Sequence, residues 1–226
     1  MSRTLYDLAA ADGRRFSPYC WRAKLALAHK GLDAATVPVG FTEIPSILGG
    51  GQTTVPVLDD GGRVVRDSFA IAEYLEDTYP DRPSLFGGQG GRGMARLIEG
   101  WSFALQAQIS GLITRDIWAG LKPQDQGYFR TSREQRFGRS LEAAQAGREE
   151  RLEAFRKSLQ PIRHALQHAP FIGGKTPLFA DYVLFGTLQW PRVASDFRLR
   201  AEDDPVTAWF SSVADLHGGR GNRVRE

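Results

Sequence analysis

Cysteine is nearly absent: the 226 residues hold one, Cys20. A lone thiol excludes an internal disulfide framework and any multi-thiolate zinc site, and it makes a reducing cytosol the expected compartment. Lysine is scarce too, five of 29 basic residues, and the arginines alternate with acids, as in Arg148-Glu149-Glu150-Arg151. A net charge of +3 spread in this way suits solvated helix faces. It does not make the basic stripe of a nucleic-acid binder, so nucleic acid is not an expected partner. No window holds enough uninterrupted apolar residues to span a bilayer, so a membrane is not expected either. The stretch from Met1 to Arg15 lacks the apolar run and small-residue cleavage site of a secretory signal, and the mature protein is expected to start near residue 1. What is present is ordinary globular composition, 42% hydrophobic and 24% charged, at a length that allows one large domain or two small ones with a real core.

Two periodicities divide the chain. In the first half, Thr4 to Leu8 is short and partly alternating, as a strand would be. Ser17-Pro18 then opens a helix, because proline at the first helical position gives up an N–H that would have had no partner there. Trp21, Leu25 and Ala28 make its buried stripe, Arg22, Lys24, His29 and Lys30 cover its other faces, and Gly31 stops it. Ala35 to Val39 is a second strand. Val55-Pro56-Val57-Leu58, Asp59-Asp60-Gly61-Gly62 and Arg63-Val64-Val65 read as a β-hairpin. Pro56 cannot donate to a ladder, which confines it to a strand beginning or an edge and makes a cis bond an option. Asp67 or Ser68 caps a helix that ends before Pro80.

Tyr79-Pro80-Asp81-Arg82-Pro83 through Gly87-Gly88-Gln89-Gly90-Gly91 reads as a connector. This gives a first domain over 1–82, a linker over 83–93 and a second domain over 94–226. Beyond the linker only helical spacing survives, from about Met94 to Ile117, Ser132 to His168, Ala180 to Trp190 and Pro205 to Leu216. Thr131-Ser132-Arg133-Glu134-Gln135 offers overlapping capping boxes for the second of these. Two motifs are set aside. Gly88-Gln89-Gly90-Gly91-Arg92-Gly93 satisfies GxGxxG without the strand that a dinucleotide site needs, so it reads as flexible linker. His164 and His168 are four apart but lack a general-base glutamate or a thiolate nearby, so they read as surface residues, and no metal is expected.

Chemistry concentrates at Ser17-Pro18-Tyr19-Cys20. A helix N-terminus presents unpaired N–H groups and roughly half a positive charge, which stabilises a bound anion. A thiolate is such an anion, and a hydroxyl at Ser17 could donate to it and lower the thiol pKa. Ser17 is equally a plain N-cap, and Cys20, one turn on, reads as a small buried hydrophobe. Val55-Pro56 could offer unpaired backbone groups to an extended peptide, and Asp67-Ser68 suits a ligand bearing both an ammonium and a carboxylate. The aromatics Trp101, Phe103, Trp118 and Trp190 fit core packing first and a hydrophobic pocket second, with Trp101, Phe103 and Trp118 the pocket candidates.

In order and spacing these elements resemble the cytosolic glutathione transferases over nearly the whole chain. Ser17-Pro18-Tyr19-Cys20 is similar to the family's active-site helix start, Val55-Pro56 to its cis-proline strand and Asp67-Ser68 to the pair that holds the γ-glutamyl group. Glu73-Tyr74-Leu75 and Tyr79-Pro80 are similar to the segment leading to the linker. The run from Ser17 to Lys24, Tyr79 to Pro83, and Glu142 to Leu152 are most similar to the bacterial glutathione-dependent β-aryl etherases and their fungal relatives. The resemblance implies an α+β protein, a thioredoxin-like N-terminal α/β domain followed by an all-helical bundle, and a cytoplasmic homodimer. It implies glutathione as co-substrate, bound at Ser17, Thr54, Val55, Pro56, Asp67 and Ser68, with Ser17 stabilising its thiolate for attack on a small hydrophobic electrophile. β-Aryl ether cleavage is the sharper option. Tyr6, in the first strand, is the rival hydroxyl. A thiol-disulfide or deglutathionylating oxidoreductase using Cys20, and a non-catalytic carrier of hydrophobic ligands, are the alternatives.

Three departures from the family pattern stand out. Thr54 precedes Val-Pro where relatives carry a long polar side chain, which leaves Arg14, Arg15 or Gln52 to meet the glycyl end. Leu178 stands where a capping Ser, Thr or Asn would precede Asp181, with Thr176 as a substitute. The polar segment 220–226 is expected to fray and leave the pocket less enclosed.

Overall fold

The computed structural model describes residues 2–226. Strand β1 (Arg3–Leu8), helix α1 (Pro18–His29) and strand β2 (Ala35–Val39) form a parallel crossover unit, with Tyr6 opposite Val37. A 3₁₀ segment, Phe41–Gly49, follows it and kinks at Ile47 and Leu48. Strands β3 (Val57–Asp60) and β4 (Arg63–Arg66) make the expected hairpin, and β3 runs antiparallel to β1, giving sheet order β2-β1-β3-β4. Pro56 lies just ahead of β3, after a cis bond from Val55, and so removes no ladder bond. Helix α2 (Ser68–Thr78) closes this half.

Helix α3 (Gln89–Gly120) begins inside the glycine-rich stretch read as flexible linker. There Leu85 and Phe86 are fully buried, and the rings of Phe69, Phe86 and Phe179 meet at centroid distances of 5.2 to 5.7 Å. The helical run expected from Ser132 to His168 is instead four helices: α4 (Pro123–Phe137), α5 (Leu141–Gln145), α6 (Arg148–Ser158) and α7 (Gln160–Leu166). Thr131 to Gln135 are therefore interior to α4 and do not start a helix, although the Glu134 carboxylate accepts the N–H of Leu141, the first residue of α5, at 3.2 Å. The true signals were Pro123 at the first helical position and Gly138, left-handed at φ 64°, after the last. Helices α8 (Phe179–Ala194) and α9 (Pro205–Gly219) complete the bundle. No helix among the described residues is long and apolar enough to cross a membrane.

Helix α1 departs from its expected single stripe. Arg22 and Lys24 are buried along with Trp21 and Leu25, because the helix is clamped between the sheet and α8. Each buried cation is paired. Lys24 meets the carboxylate of Asp7 and donates to the Glu226 carbonyl at 2.5 Å. Arg22 reaches Glu99 at 3.5 Å and Ser102 Oγ at 3.0 Å. Where α1 crosses α8, a β-carbon at Gly186 would collide with the Pro18 carbonyl oxygen, so only glycine permits that approach.

The segment 220–226 does not fray. It docks on α1 and α8: Arg15 N–H donates to the Val224 carbonyl at 2.7 Å and Gln189 Nε2 to that of Gly221 at 2.6 Å. The missing cap at Leu178 is met by Asp181 rather than Thr176. That fully buried carboxylate accepts from the N–H groups of Ile172, Gly173 and Leu178 and from Trp209 Nε1, all within 3.0 Å.

Candidate functional site

Ser17 caps α1: its backbone is extended (φ −66°, ψ 122°) and its Oγ accepts the Cys20 N–H at 3.3 Å. An accepting hydroxyl keeps its own proton free to donate elsewhere, so capping and anion binding are compatible at this residue. Ser17 lines a cavity of about 670 Å³ between the two halves of the molecule. The β1–α1 corner contributes Leu8, Phe16, Pro18 and Tyr19, and the loop ahead of β3 contributes Thr53, Thr54 and Val55. Across from them stand Phe103, Gln106, Ser110, Thr114 and Ile117 on one face of α3, and Tyr128, Phe129, Arg133 and Arg136 on α4. Trp190 of α8 and Phe41, Thr42, Ile44 and Pro45 of the 3₁₀ segment complete the wall.

The sequence-derived residues are thus partly gathered. Ser17, Thr54, Val55 and Phe103 share the cavity, and Pro56 is buried directly behind Val55. Trp101 and Trp118 are not among its lining residues. Trp101 packs half-buried against the core, and Trp118 lies beneath the Arg130 guanidinium, 4.4 Å from ring centroid to Cζ. Tyr6 also lies outside the lining, half-buried between β2 and β3. Sequence reasoning missed the α4 residues, because it began that helix nine residues late, and it missed the α3 face, whose polar members Gln106, Ser110 and Thr114 hid an otherwise apolar wall.

Asp67 and Ser68 stand at the start of α2, outside the main cavity lining. Asp67 holds a positive φ of 72° and its Oδ1 accepts the N–H groups of Phe69 at 2.8 Å and Ala70 at 3.0 Å. A non-glycine residue in that region stores of order 1–3 kcal/mol, which marks a position selected for something besides stability. Ser68 Oγ and Gln52 Oε1 are buried with no hydrogen-bond partner among the described residues. Buried polar atoms of that kind suit a polar ligand. Of the three candidates for the glycyl end, Arg14 is committed to Asp12 and the Val193 carbonyl, Arg15 lies 3.7 Å from the buried Asp7 with Nε and Nη1 lacking a hydrogen-bond partner among the described residues, and Gln52 keeps its unpaired oxygen.

A polar network ties this region to the helical half. Arg22 Nη2 donates to Ser102 Oγ, Tyr19 Oη donates to Gln106 Oε1 at 2.7 Å, and Gln106 Nε2 reaches Thr187 Oγ1 at 3.4 Å. The Arg22 guanidinium also lies over the Tyr19 ring, 4.7 Å from its centroid. Desolvation lifts the Glu99 carboxyl above its ordinary range against the pull of Arg22, with Asp67 adding to the rise. Burial, seconded by the neighbouring Asp7, pushes the Cys20 thiol well up, so that its side chain is a protonated, enclosed group.

Comparison with known proteins bears on the family and the fold. A family model for the glutathione S-transferase C-terminal domain matches residues 94–226, and one for the N-terminal domain matches residues 16–78. Glutathione S-transferase Z2 of Arabidopsis thaliana is 41% identical over 75 residues, 28% of this chain and 31% of that protein. Maleylacetoacetate isomerase of Dictyostelium discoideum is 31% identical over 88 residues, 34% of this chain and 38% of that protein. The match thus spans about a third of the length of each of these two relatives. Among solved structures, glutathione transferase GSTFuA3 from Phanerochaete chrysosporium superposes with a TM-score of 0.76 at 27% identity, covering 100% of this chain and 95% of that one. Glutathione S-transferase CsGST83044 of Ceriporiopsis subvermispora, solved in complex with glutathione, shares the fold with a TM-score of 0.75 at 23% identity, over 99% and 96% of the two chains. With both halves matched in order along one chain, this protein belongs to the glutathione S-transferase family.

Proposed function

We propose that this protein is a glutathione transferase whose Ser17 hydroxyl stabilises the glutathione thiolate for attack on a small hydrophobic electrophile. The observation that carries the reading is Ser17 itself, a helix cap with a donatable proton on the wall of a largely apolar cavity. The substrate thiol loses its proton to solvent, and the first turn of α1 with the Ser17 O–H holds the sulfur anion. Val55, ahead of Pro56, offers edge-on backbone groups to the tripeptide. Asp67 and Ser68 take the γ-glutamyl end, and Gln52 with Thr54 meets the glycyl end. The sulfur then forms a bond to the electrophilic carbon as the leaving group departs with its electron pair. In the sharper version, β-aryl ether cleavage, that group is a phenolate, which takes a proton from water.

The inaccessible, protonated Cys20 supports transfer over thiol-disulfide exchange, which requires an exposed thiolate. Exposed Met94 and Leu97 on α3 suit a homodimer face. The test is titration calorimetry with glutathione, followed by conjugation assays on Ser17→Ala. Heat of binding with turnover lost in the variant supports catalysis. Absence of heat at millimolar glutathione overturns the proposal, and binding with turnover unaffected by Ser17→Ala moves the thiolate donor elsewhere.

A further inference from the structure

The cavity wall that faces Ser17 is one-sided in charge. Among its lining residues no aspartate or glutamate occurs, while Arg133 and Arg136 both belong to it. Arg133 is half-buried, its guanidinium stacked over Phe129 at 4.7 Å and near Phe41 at 5.5 Å, and its one side-chain hydrogen bond donates to Ser132 Oγ at 2.9 Å. Neither arginine has a carboxylate within salt-bridge distance among the described residues, whereas Arg130, one turn earlier and outside the cavity, is held by both Glu134 and Glu142. Burial, with neighbouring Arg136 adding to it against Tyr128, lowers the Arg133 pKa. A guanidinium desolvated on aromatic rings and lacking a counter-charge is an anion seat, since its fork of donors matches a carboxylate. The rest of the wall, Phe103, Tyr128 and Trp190, accepts an aromatic or aliphatic body.

We infer that the electrophile this protein accepts carries a carboxylate, seated by Arg133 and Arg136, on an apolar body. The inference rests on the transferase reading above, and its test separates the two. The probes are 4-chloro-3,5-dinitrobenzoate and its methyl ester. In both, the glutathione sulfur bonds to the ring carbon and chloride leaves with its electron pair. The readout is the ratio of kcat/KM for acid over ester, referred to the same ratio without enzyme. In the native protein that ratio is raised at least tenfold, and Arg133→Met or Arg136→Met lowers it about tenfold, the worth of a charged hydrogen bond or more. Arg136 is exposed, so its variant keeps the test open if Arg133→Met fails to fold.

A ratio that does not move overturns the inference. So does an equal loss on both probes with a raised KM for glutathione, which would give Arg133 to the glycyl carboxylate instead. A second arm uses the unreactive 3,5-dinitrobenzoate and its ester without glutathione, read by tryptophan fluorescence. Arginine-dependent preference for the acid, in a protein that conjugates neither chloro probe, sinks the transferase reading and upholds the anion seat. No preference in either arm sinks the seat.

Discussion

The two walls of the cavity are built from different materials. The wall on the sheet side is built around backbone and a helix end, the cap at Ser17 and the loop before β3, with the strained Asp67 outside the lining at the start of α2. The wall on the helical side consists of side chains projecting from two regular helices, Phe103 to Ile117 on α3 and Tyr128 to Arg136 on α4. Backbone geometry reads what is common to every turnover and changes only at the expense of the fold. Side chains on a continuous helix can be exchanged at little structural cost, so under the proposed transferase function the second wall is the place to look for the choice of electrophile. Both walls hang on one seam, α1 against α8 at Gly186, and the strongest perturbations are those that reach the seam or its anchors.

The largest expected effect is on the anchor of α8. Asp181→Ala strands three backbone N–H groups and the Trp209 indole N–H inside the helical half, and should lower stability by about 3–5 kcal/mol in urea unfolding. The side-chain wall should loosen first. A midpoint within experimental error of the native one would show that water replaces the carboxylate.

Acid comes next. His29, on α1, is half-buried between the Ser84 carbonyl at 3.0 Å and Tyr182 Oη at 2.6 Å, and Tyr182 in turn meets His217 Nε2 at 2.9 Å. A carbonyl only accepts, so His29 Nε2 carries the proton, Nδ1 accepts from Tyr182, and Tyr182 accepts from His217. Every position is filled with His29 neutral, and burial with the nearby His217 lowers its pKa to about 4. The unfolded chain binds a proton below about pH 6.5 and the folded one does not until about pH 4, so stability present above pH 6.5 is lost as pH falls through that window. After allowance for partial exposure this is worth about 2–3 kcal/mol. Unfolding midpoints at pH 7 and pH 5 should differ clearly in the native protein and far less in His29→Gln. Equal slopes would remove the junction histidine as the cause.

Ser17→Ala should lower kcat/KM about 100-fold, the loss typical of one donor to a developing anion, against only about 1 kcal/mol of helix stability from the lost cap. Circular dichroism separates the two, because a cap effect shifts Tm without a hundredfold loss of turnover at 25 °C. This variant addresses the sheet-side wall alone, so binding of an unreactive anion at the α4 arginines should persist in it.

How far each wall was legible follows from the same difference in material. Ser17-Pro18, Val55-Pro56 and Asp67-Ser68 are local signals, in which proline, a capping hydroxyl and a carboxylate specify their own backbone within a few residues. The α4 wall has no such signature. Tyr128, Phe129 and Arg133 are ordinary helix residues whose role arises only when α4 packs against the 3₁₀ segment, and Phe41 there gives no hint of it in sequence. Arg22 and Lys24 misled for a related reason. Charged residues read as a solvated face until tertiary packing supplies Glu99, Asp7 and a carbonyl. The connector misled in the opposite direction: glycines 90, 91 and 93 read as flexible, yet α3 starts at Gln89, where Phe86 is fixed in an aromatic cluster and a β-carbon at Gly91 would strike its carbonyl.

The smallest expected effect sharpens the contrast most. Phe103 is about half exposed on the cavity wall, so truncation removes roughly 1 kcal/mol of apolar contact with a bound electrophile, a KM about fivefold higher. It touches none of the sheet-side groups, so the KM for glutathione should hold. Trp118→Phe is the matched control, a larger aromatic on the same helix stacked on Arg130 outside the lining, and should leave both constants in place. Should Trp118→Phe raise the electrophile KM as much as Phe103→Ala does, the wall would extend further along α3 than the cavity indicates, and specificity would be a property of the whole helix face.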